Sequence, residues 1–193
     1  MGQPSFGRDT RRRFAEAAWR IGRTRGFKGL TVRALANDLR VSPALLYSHF
    51  DDKAGLIAEL QRFGHPLLVA NMADALHERD GREPLLAISM AYVEFMREHG
   101  WAYEESELAI LAPGLPHHQA FVESARAVMV DDTGETVGLA GVRCEHLWLG
   151  VHALGMLLAA QRSSGQRGIS VAVVRAHVDV LLRGVVDVDA AVR

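Results

Sequence analysis

Two short helical patterns, separated by a tight turn, occupy the stretch from Leu30 to Phe50. Thr31 is a suitable N-cap for the first pattern, and apolar residues then recur at the spacing of one helical face. Ser42 is a suitable N-cap for the second, and Pro43 fits the first helical position, where no amide donor is needed. The apolar positions of the first pattern are Val32, Leu35, Ala36 and Leu39. In the second pattern, Leu45, Leu46 and Phe50 are expected to face inward. Two helices of about eight or nine residues joined this tightly form a helix-turn-helix, whose second helix lies in a DNA major groove.

The rest of the chain continues the helical spacing of apolar residues and contains no convincing alternating strand. Gly26 and Gly100 end two of these patterns, and Asp51 and Asp52 are expected to cap another. The Gly-His-Pro triplet at 64–66 is expected to kink the helix that contains it. We therefore expect an all-α protein of about nine helices, over residues 9–25, 32–39, 43–50, 53–76, 84–99, 101–111, 117–130, 135–162 and 170–186.

Charge is distributed unequally along the chain. Residues 1–53 carry eleven Lys and Arg against five Asp and Glu, a net charge of +6. The remaining residues carry eleven basic and eighteen acidic side chains, a net charge of −7, although the whole chain has only −1. A basic head on an acidic body is typical of a polyanion-binding domain, and a solvated charged face without a partner is the alternative. We expect a helix-turn-helix head over residues 1–53 and a separate body over residues 54–193.

Composition excludes several classes of protein. Hydrophobic residues make up 49% of the chain and charged residues 23%, an ordinary globular balance. No apolar run reaches the roughly 18 residues of a membrane span, and no signal-peptide pattern opens the chain. The single cysteine, Cys144, cannot form an intramolecular disulfide and suits a reducing compartment. The expectation is a cytoplasmic protein without membrane contact.

No catalytic or metal-binding constellation is evident. His117 and His118 are adjacent, so they are expected to point apart on a helix, and no Cys/His pair has zinc spacing. Neither a Ser-His-Asp order, nor a phosphate-cradling glycine loop, nor a paired-carboxylate signature points to catalysis. Cys144 lies in an apolar helical pattern, which is expected to raise its pKa and disfavours a redox role. We therefore expect a non-enzyme without cofactor or metal ion.

The segment TVRALANDLRVSPALLYSHFDDKAGL, residues 31–56, is similar to the DNA-binding segment of TetR-family bacterial transcriptional regulators. The order Tyr47-x-His49-Phe50 followed by Lys53 carries much of the resemblance. The resemblance implies an all-α homodimer with an N-terminal helix-turn-helix head. It also implies a larger body that binds a ligand and dimerises.

Two positions bear on how closely the chain follows this family. Arg40 occupies a turn position that the family usually gives to Gly, so either Arg40 is left-handed or the turn differs. In the body, LWLGVHALGMLL resembles a subgroup with Trp, His and Gly on the penultimate long helix. Trp148 and His152 match that pattern, whereas Ala153 stands where the subgroup has Gly.

The outward face of the second head helix suits DNA contact. Small side chains at Ala44 and Ser48 let the helix enter the groove deeply, and nearby hydroxyl, imidazole and ammonium groups can donate to phosphates. Arg33 either reads guanine or contacts phosphate, so much of the specificity is expected from thymine methyl groups and DNA shape. Packing against the first helix is the alternative for Tyr47 and His49. The expected DNA-binding residues, whose roles the resemblance also implies, are Thr31, Arg33, Ser42, Pro43, Ala44, Tyr47, Ser48, His49 and Lys53.

A single head offers too small an interface for operator affinity. Two heads about one helical turn apart, roughly 34–36 Å, read an inverted repeat in double-stranded DNA, so a homodimer is required. The alternative for the apolar stripes of the last two helices is the core of a single chain. The expected dimer interface contains Leu147, Val151, Leu154, Leu158, Val174, Val178 and Leu181.

Aromatic, methionine and histidine side chains in the body suit an adaptable, mostly apolar pocket for a small effector. Trp148 and His152, one turn apart, are the first candidates, although each residue of the set is also suited to an ordinary core. The expected ligand-binding residues are Tyr92, Phe95, Met96, Trp101, Tyr103, Phe121, Met129, Trp148, His152 and Met156.

The function expected from these features is a transcriptional repressor that a small apolar ligand releases from a palindromic operator. One alternative is a helical protein-interaction module that does not bind DNA, and a second is an all-α enzyme. A steep salt dependence of DNA binding distinguishes the repressor from the protein-interaction module, because neutralising phosphates releases counterions.

Overall fold

The structure is a computed structural model that describes residues 6–50, 52–78, 84–103, 115–133, 137–166 and 168–186. Helices make up nearly all of these ranges. Within these ranges the chain forms eight α-helices and one 3₁₀ turn, and no β-strand. The predicted all-α fold is confirmed. The helices are α1 (Phe6–Gly29), α2 (Val32–Leu39), α3 (Pro43–Tyr47), α4 (Lys53–His77), α5 (Pro84–His99), α6 (Pro116–Thr133), α7 (Val137–Ser164) and α8 (Val171–Val186).

The chain forms two compact units, which we call the head unit and the body unit. The head unit comprises Met1–Pro66 with Trp101–Ile110, and the body unit comprises Leu67–Gly100 with Leu111–Arg193. The division falls within α4, which therefore contributes to both units. The unit that holds the helix-turn-helix thus extends beyond residues 1–53, the predicted head.

Side-chain caps define the two short helices of the head. The Thr31 hydroxyl oxygen accepts a hydrogen bond from the Ala34 amide at 3.1 Å, and the Ser42 hydroxyl oxygen accepts one from Leu45 at 3.2 Å. Each bond satisfies an amide that has no partner within its helix. Pro43 opens α3, where a missing amide costs nothing.

The turn between α2 and α3 is built on Arg40, which is left-handed with φ 55° and ψ 43°. The Arg40 amide donates to the Asn37 carbonyl at 3.2 Å, and the Val41 amide donates to the Ala36 carbonyl at 3.0 Å. This pair of bonds is a Schellman motif, which ends a helix through one left-handed residue. Of the two expected arrangements, the left-handed one is present.

The α3 helix is shorter than expected and turns a different set of residues inward. It spans five residues, and Leu46 is 3% exposed whereas Leu45 is 40% exposed. The prediction that Leu45 faces inward is therefore wrong. Leu46 and Phe50 are four residues apart and share the inward side, and a helix with so few turns has no second buried face.

Gly26 and Pro66 have different effects on their helices. Gly26 interrupts α1 with φ 65°, as expected for a glycine that ends a helix. α4 in contrast is one helix from Lys53 to His77 and contains Pro66 in its interior, although proline there forfeits one backbone hydrogen bond. The Asp52 carboxylate accepts from the Gly55 amide at 2.8 Å and caps α4 as expected, while Asp51 lies outside the described residues.

The segment after α5 does not begin the helix that was predicted over residues 101–111. Gly100–Ala102 forms a 3₁₀ turn, and residues 104–114 lie outside the described ranges. Trp101 and Tyr103 are buried in the head unit, where Trp101 packs against Trp19 with ring centroids 5.3 Å apart. The Gln61 side-chain amide donates to the Ala102 carbonyl at 3.3 Å.

The core of the body unit forms where α5, α6, α7 and α8 turn their apolar faces toward one another. Two glycines of α7 allow close approach: a Cβ on Gly155 would lie 2.6 Å from the Met96 Cβ, and one on Gly150 would lie 2.6 Å from Leu181. Throughout the described ranges, no helix is both long and apolar enough to cross a bilayer. The largest fully buried side chains of this unit include Ile88, Tyr92, Met96, Phe121, Leu147 and Val151.

Candidate functional site

The helix-turn-helix presents its predicted DNA-binding side chains on its surface. Tyr47, at the end of α3, is 58% exposed, so most of its surface faces solvent. The Thr31 and Ser42 oxygens accept cap bonds from amides, and each hydroxyl proton remains available for donation. The Lys53 side chain lies outside the described set. The residues that are exposed as required for contact with DNA are Thr31, Arg33, Ser42, Pro43, Ala44, Tyr47 and Ser48.

His49 follows the alternative that the sequence left open, because its ring packs against α1. The His49 and Phe14 rings meet edge to face with centroids 5.3 Å apart, and Phe14 also contacts Phe50 at 6.1 Å. His49 is only half-buried, so its outer edge still reaches solvent. The N-terminal half of α1 thereby contacts the segment just after α3.

Six side chains in the body unit form a buried group that we call the Trp148 cluster: Tyr92, His117, His118, Phe121, Trp148 and His152. The Trp148 indole N–H donates to the Tyr92 oxygen at 3.1 Å, and Tyr92 Oη lies 2.9 Å from His152 Nδ1. The indole can only donate, so the Tyr92 oxygen is the acceptor in that bond, while the direction of the bond between Tyr92 and His152 depends on the tautomer of the imidazole.

The rings of the Trp148 cluster are stacked closely. Trp148 and His152 are nearly parallel at 4.9 Å, and His117 stacks on His152 at 5.2 Å. Burial, with a smaller contribution from the charge of His118, lowers the pKa of His152 to about 4. His118 Nε2 lies 2.6 Å from the Glu145 carboxylate. The cluster is therefore a packed group around a neutral imidazole.

The structure brings together only part of the predicted ligand-binding set. Tyr92, Phe121, Trp148 and His152 meet in the Trp148 cluster. Trp101 and Tyr103 belong to the head unit and do not join it. His117 and His118 do join it, and the prediction that they point apart is wrong, since both rings lie against Trp148. The remaining predicted residues lie elsewhere in the body unit: Phe95, Met96, Met129 and Met156.

A cavity of about 610 Å³ opens in the body unit between α4, α5 and the start of α8. No predicted ligand-binding residue lines it, and nothing in the apolar spacing indicated it. Three carboxylates, one guanidinium and six apolar side chains give the cavity both polar and apolar surface. Its lining is Asn71, Asp74, Ala75, Glu78, Leu86, Ala87, Met90, Ala91, Glu94, Val171 and Arg175.

The predicted dimer residues divide into buried and accessible groups. Five of them, Leu147, Val151, Leu158, Val174 and Val178, are buried in the single chain. Leu154 and Leu181 instead line an apolar groove of about 420 Å³ between α7 and α8, together with Gly150, Ala176, His177 and Val180. Further apolar side chains of these two helices are exposed, among them Leu149, Leu157, Val171, Val173 and Val180.

Cys144 is a buried free thiol whose Sγ donates to the Met129 thioether at 3.3 Å. Burial raises its pKa to about 11, and of the nearby charges Arg126 opposes this and Glu145 reinforces it. Among the side chains that the structure describes, no three His, Cys, Asp or Glu are grouped so as to hold a metal ion.

Comparison with known proteins relates both sequence and fold to transcriptional regulators. Residues 15–60 match the family model for bacterial regulatory proteins of the tetR family. The chain is 33% identical, over 101 residues, to YobS of Bacillus subtilis strain 168, an uncharacterized HTH-type transcriptional regulator. That match covers 52% of this chain and 53% of YobS, so the chain spans about half the length of this relative.

The fold comparison extends over most of the chain. A proposed transcriptional regulator from Pseudomonas aeruginosa PAO1 matches with a TM-score of 0.61 at 18% identity, over 92% of this chain and 88% of that one. The TetR family transcriptional regulator PfmR from Thermus thermophilus matches with a TM-score of 0.58 at 22% identity, over 89% of this chain and 97% of that one.

These findings relate the helix-turn-helix head to those of bacterial transcriptional regulators. Residues 15–60 are similar to the tetR family of bacterial regulatory proteins, and the chain shares the fold of the TetR family regulator PfmR. The matches point to transcriptional regulators rather than to enzymes.

Proposed function

We propose that the whole chain is a TetR-family transcriptional repressor that binds, as a homodimer, an inverted repeat in double-stranded DNA. The observation that carries the proposal is the helix-turn-helix itself. Its two capped helices expose Arg33, Ala44, Tyr47 and Ser48, and its left-handed turn sets the angle between them. As such a regulator the chain is cytoplasmic and non-catalytic.

DNA binding is tested with duplexes from the region upstream of the chain's own gene, titrated by fluorescence anisotropy at several salt concentrations. Log affinity should fall steeply and linearly with log salt, because each neutralised phosphate releases counterions. Arg33→Ala should weaken binding about tenfold or more, since its guanidinium contacts a base or a phosphate. Arg126→Ala removes an exposed arginine from the body unit and should change affinity by less than about twofold. Equal effects of the two substitutions would contradict this use of the head.

Repression is a separate part of the proposal. Deletion of the gene should raise transcription from the bound promoter, and re-expression should lower it. A fall on deletion would make the protein an activator. A folded chain that binds no duplex at any salt concentration would instead favour the protein-interaction module.

We propose that α7 and α8 form the homodimer interface, with the groove around Leu154 and Leu181 at its centre. The support is the apolar character of the groove and the exposed Leu157 and Val180 on the same two helices. A contiguous exposed apolar surface on a soluble chain is typical of an association site. The proposed interface therefore consists of the accessible residues and excludes the five predicted residues that are buried in the single chain.

We also propose that a small, largely apolar effector binds the body unit and weakens DNA binding. The Trp148 cluster remains the first candidate site, because its stacked rings surround a few oriented polar groups. The cavity beside α5 is the second candidate, because about 610 Å³ falls within the usual range of small-molecule pockets. An effector that prefers the DNA-incompetent state tenfold shifts the equilibrium by about 1.4 kcal/mol per site.

Substitutions distinguish the two candidate sites. Compounds are first screened by thermal shift and then tested for release of the promoter duplex. Trp148→Ala and His152→Ala should abolish the response if the cluster binds the effector. Met90→Trp should weaken it if the cavity does, because the larger ring occupies part of that space. Trp148 is the tryptophan to follow by fluorescence, since Trp19 and Trp101 both lie in the head unit.

A further inference from the structure

The first turns of α1 carry charged residues on two different faces of the helix. Arg11, Phe14 and Ala18 share one face, at the spacing i, i+3 and i+7. Phe14 and Ala18 are 4% and 0% exposed, so this is the face that α1 turns toward the core of the head. Arg11 lies on it and yet is exposed, because the core ends one turn after it.

The opposite face of α1 has the same spacing and carries charges of both signs. Asp9, Arg12 and Glu16 occupy it, and the Arg12 guanidinium donates to the Glu16 carboxylate at 3.0 Å. Arg12 is therefore paired with a carboxylate. Among the described side chains, none is paired with Arg11 through an ion pair.

The contacts of Phe14 show what lies beside Arg11. Phe14 packs on His49 and Phe50, which follow the end of α3 by two and three residues. One helical turn advances about 5.4 Å, so Arg11 projects just beyond this contact. His49 there is half-buried, and Tyr47 at the end of α3 is largely exposed. The Arg11 guanidinium, which has no carboxylate partner among the described side chains, thus lies next to the surface that carries α3.

We propose that Arg11 binds a DNA phosphate and so extends the interface from the helix-turn-helix to the first helix of the head. This inference rests on the proposed DNA-binding function and names a contact that the helix-turn-helix pattern does not contain. When α3 occupies the major groove, the groove wall beside its C-terminal end is sugar-phosphate backbone. A guanidinium is suited to bidentate binding of a phosphate. The contact positions the head and carries no base specificity.

Arg11→Ala and Arg12→Ala form a matched pair, because adjacent residues lose the same charge and the same side chain. Binding of each variant to the upstream duplex is measured by anisotropy across a salt series, with thermal unfolding followed by circular dichroism. Arg11→Ala should weaken binding about fivefold to tenfold and reduce the magnitude of the salt slope by about 0.9. Arg12→Ala should change affinity by less than about twofold, and Arg11→Lys should restore most of the affinity and slope.

The outcomes separate this inference from the proposed function. If the wild type binds DNA in a salt-dependent way and both variants lose the same affinity, the Arg11 contact alone is overturned. The loss would then reflect the removed positive charge at a distance and not a contact with one phosphate. An unchanged salt slope in Arg11→Ala would also overturn it. Absence of salt-dependent binding by the wild type would overturn the contact and the proposed function together.

Discussion

At the scale of single residues, Gly22 allows an aromatic ring to lie directly on the α1 backbone. A Cβ at this position would lie 2.1 Å from Trp101 Cζ3, so the indole would have to move. Gly22→Ala should therefore lower the free energy of unfolding by about 1–3 kcal/mol, the usual cost of overpacking. Urea denaturation followed by circular dichroism measures the change.

Gly184→Ala is the control for that prediction. A Cβ on Gly184 meets no heavy atom within 4 Å, and the residue lies within α8. Its replacement should leave stability unchanged or raise it by about 0.4–1 kcal/mol, because alanine restricts the unfolded chain. If both variants lose the same stability, the contact between Gly22 and Trp101 is not the cause.

His152 should make the stability of the protein depend on pH. Its folded-state pKa of about 4 lies below the ordinary value of 6.5, so the unfolded chain binds more protons between these values. Stability should therefore be fully present above about pH 6.5 and be lost as the pH falls toward 4. The loss should amount to roughly 2 kcal/mol between pH 6.5 and 5.

Urea midpoints at these two pH values measure that loss in the wild type and in His152→Gln. The variant should lose most of the pH dependence, whatever its absolute stability. His146→Gln, which replaces an exposed histidine two turns earlier on α7, should retain it. A His152→Gln protein with the full pH dependence would show that other groups are responsible.

At the scale of elements, the turn between α2 and α3 depends on a residue with a side chain in a conformation that favours glycine. The left-handed Arg40 costs about 1–2 kcal/mol relative to an ordinary conformation, while glycine would cost about 0.5–1 kcal/mol in chain entropy. Arg40→Gly should therefore raise stability by about 0.5–1 kcal/mol and preserve the helical circular dichroism signal. Arg40→Ala removes the same charge but keeps a Cβ, and it should bring no such gain. A loss of stability in Arg40→Gly as large as in Arg40→Ala would contradict this account.

The long helices show why an apolar stripe does not identify its partner. α7 has apolar residues on more than one side, and Leu147 and Val151 are buried while Leu149 and Leu157 are exposed. Helical spacing groups residues by face, but it does not say whether a face meets the same chain or a second one. The packing of α5, α6 and α8 against α7 shows which apolar residues of α7 are buried within the single chain.

At the scale of the whole molecule, the groove between α7 and α8 should hold a second chain. Val180 lines the groove and is 68% exposed, so Val180→Glu should leave the fold of one chain intact. It should convert a dimer into a monomer at micromolar concentration in sedimentation velocity, because a buried unpaired carboxylate is costly at an interface. Binding to the inverted repeat should fall by more than about tenfold, since one head alone offers too little contact.

Leu67→Glu is the control for that experiment. Leu67 is an exposed apolar residue of α4, also in the body unit, and its replacement should leave the dimer unchanged. A wild-type chain that sediments as a monomer would contradict the proposed assembly. A dimer that persists in Val180→Glu would place the interface elsewhere.

The sequence by itself determined the local features of this protein. Thr31 and Ser42 cap the helices that they were predicted to cap, and α5 has its predicted bounds, Pro84–His99. These features depend on hydrogen bonds and backbone preferences within a few residues, which the order of residues specifies directly. The helix-turn-helix was recognisable for the same reason.

Tertiary structure alone decided which residues from distant parts of the chain meet. Trp101 packs on α1 in the head unit, although its residue type suited the effector pocket, and His117 joins the Trp148 cluster from another helix. The cavity beside α5 arises between helices whose own patterns carry no sign of it. Such contacts depend on shape and on the burial of surfaces that are far apart in sequence, so the spacing of residues within one helix cannot specify them.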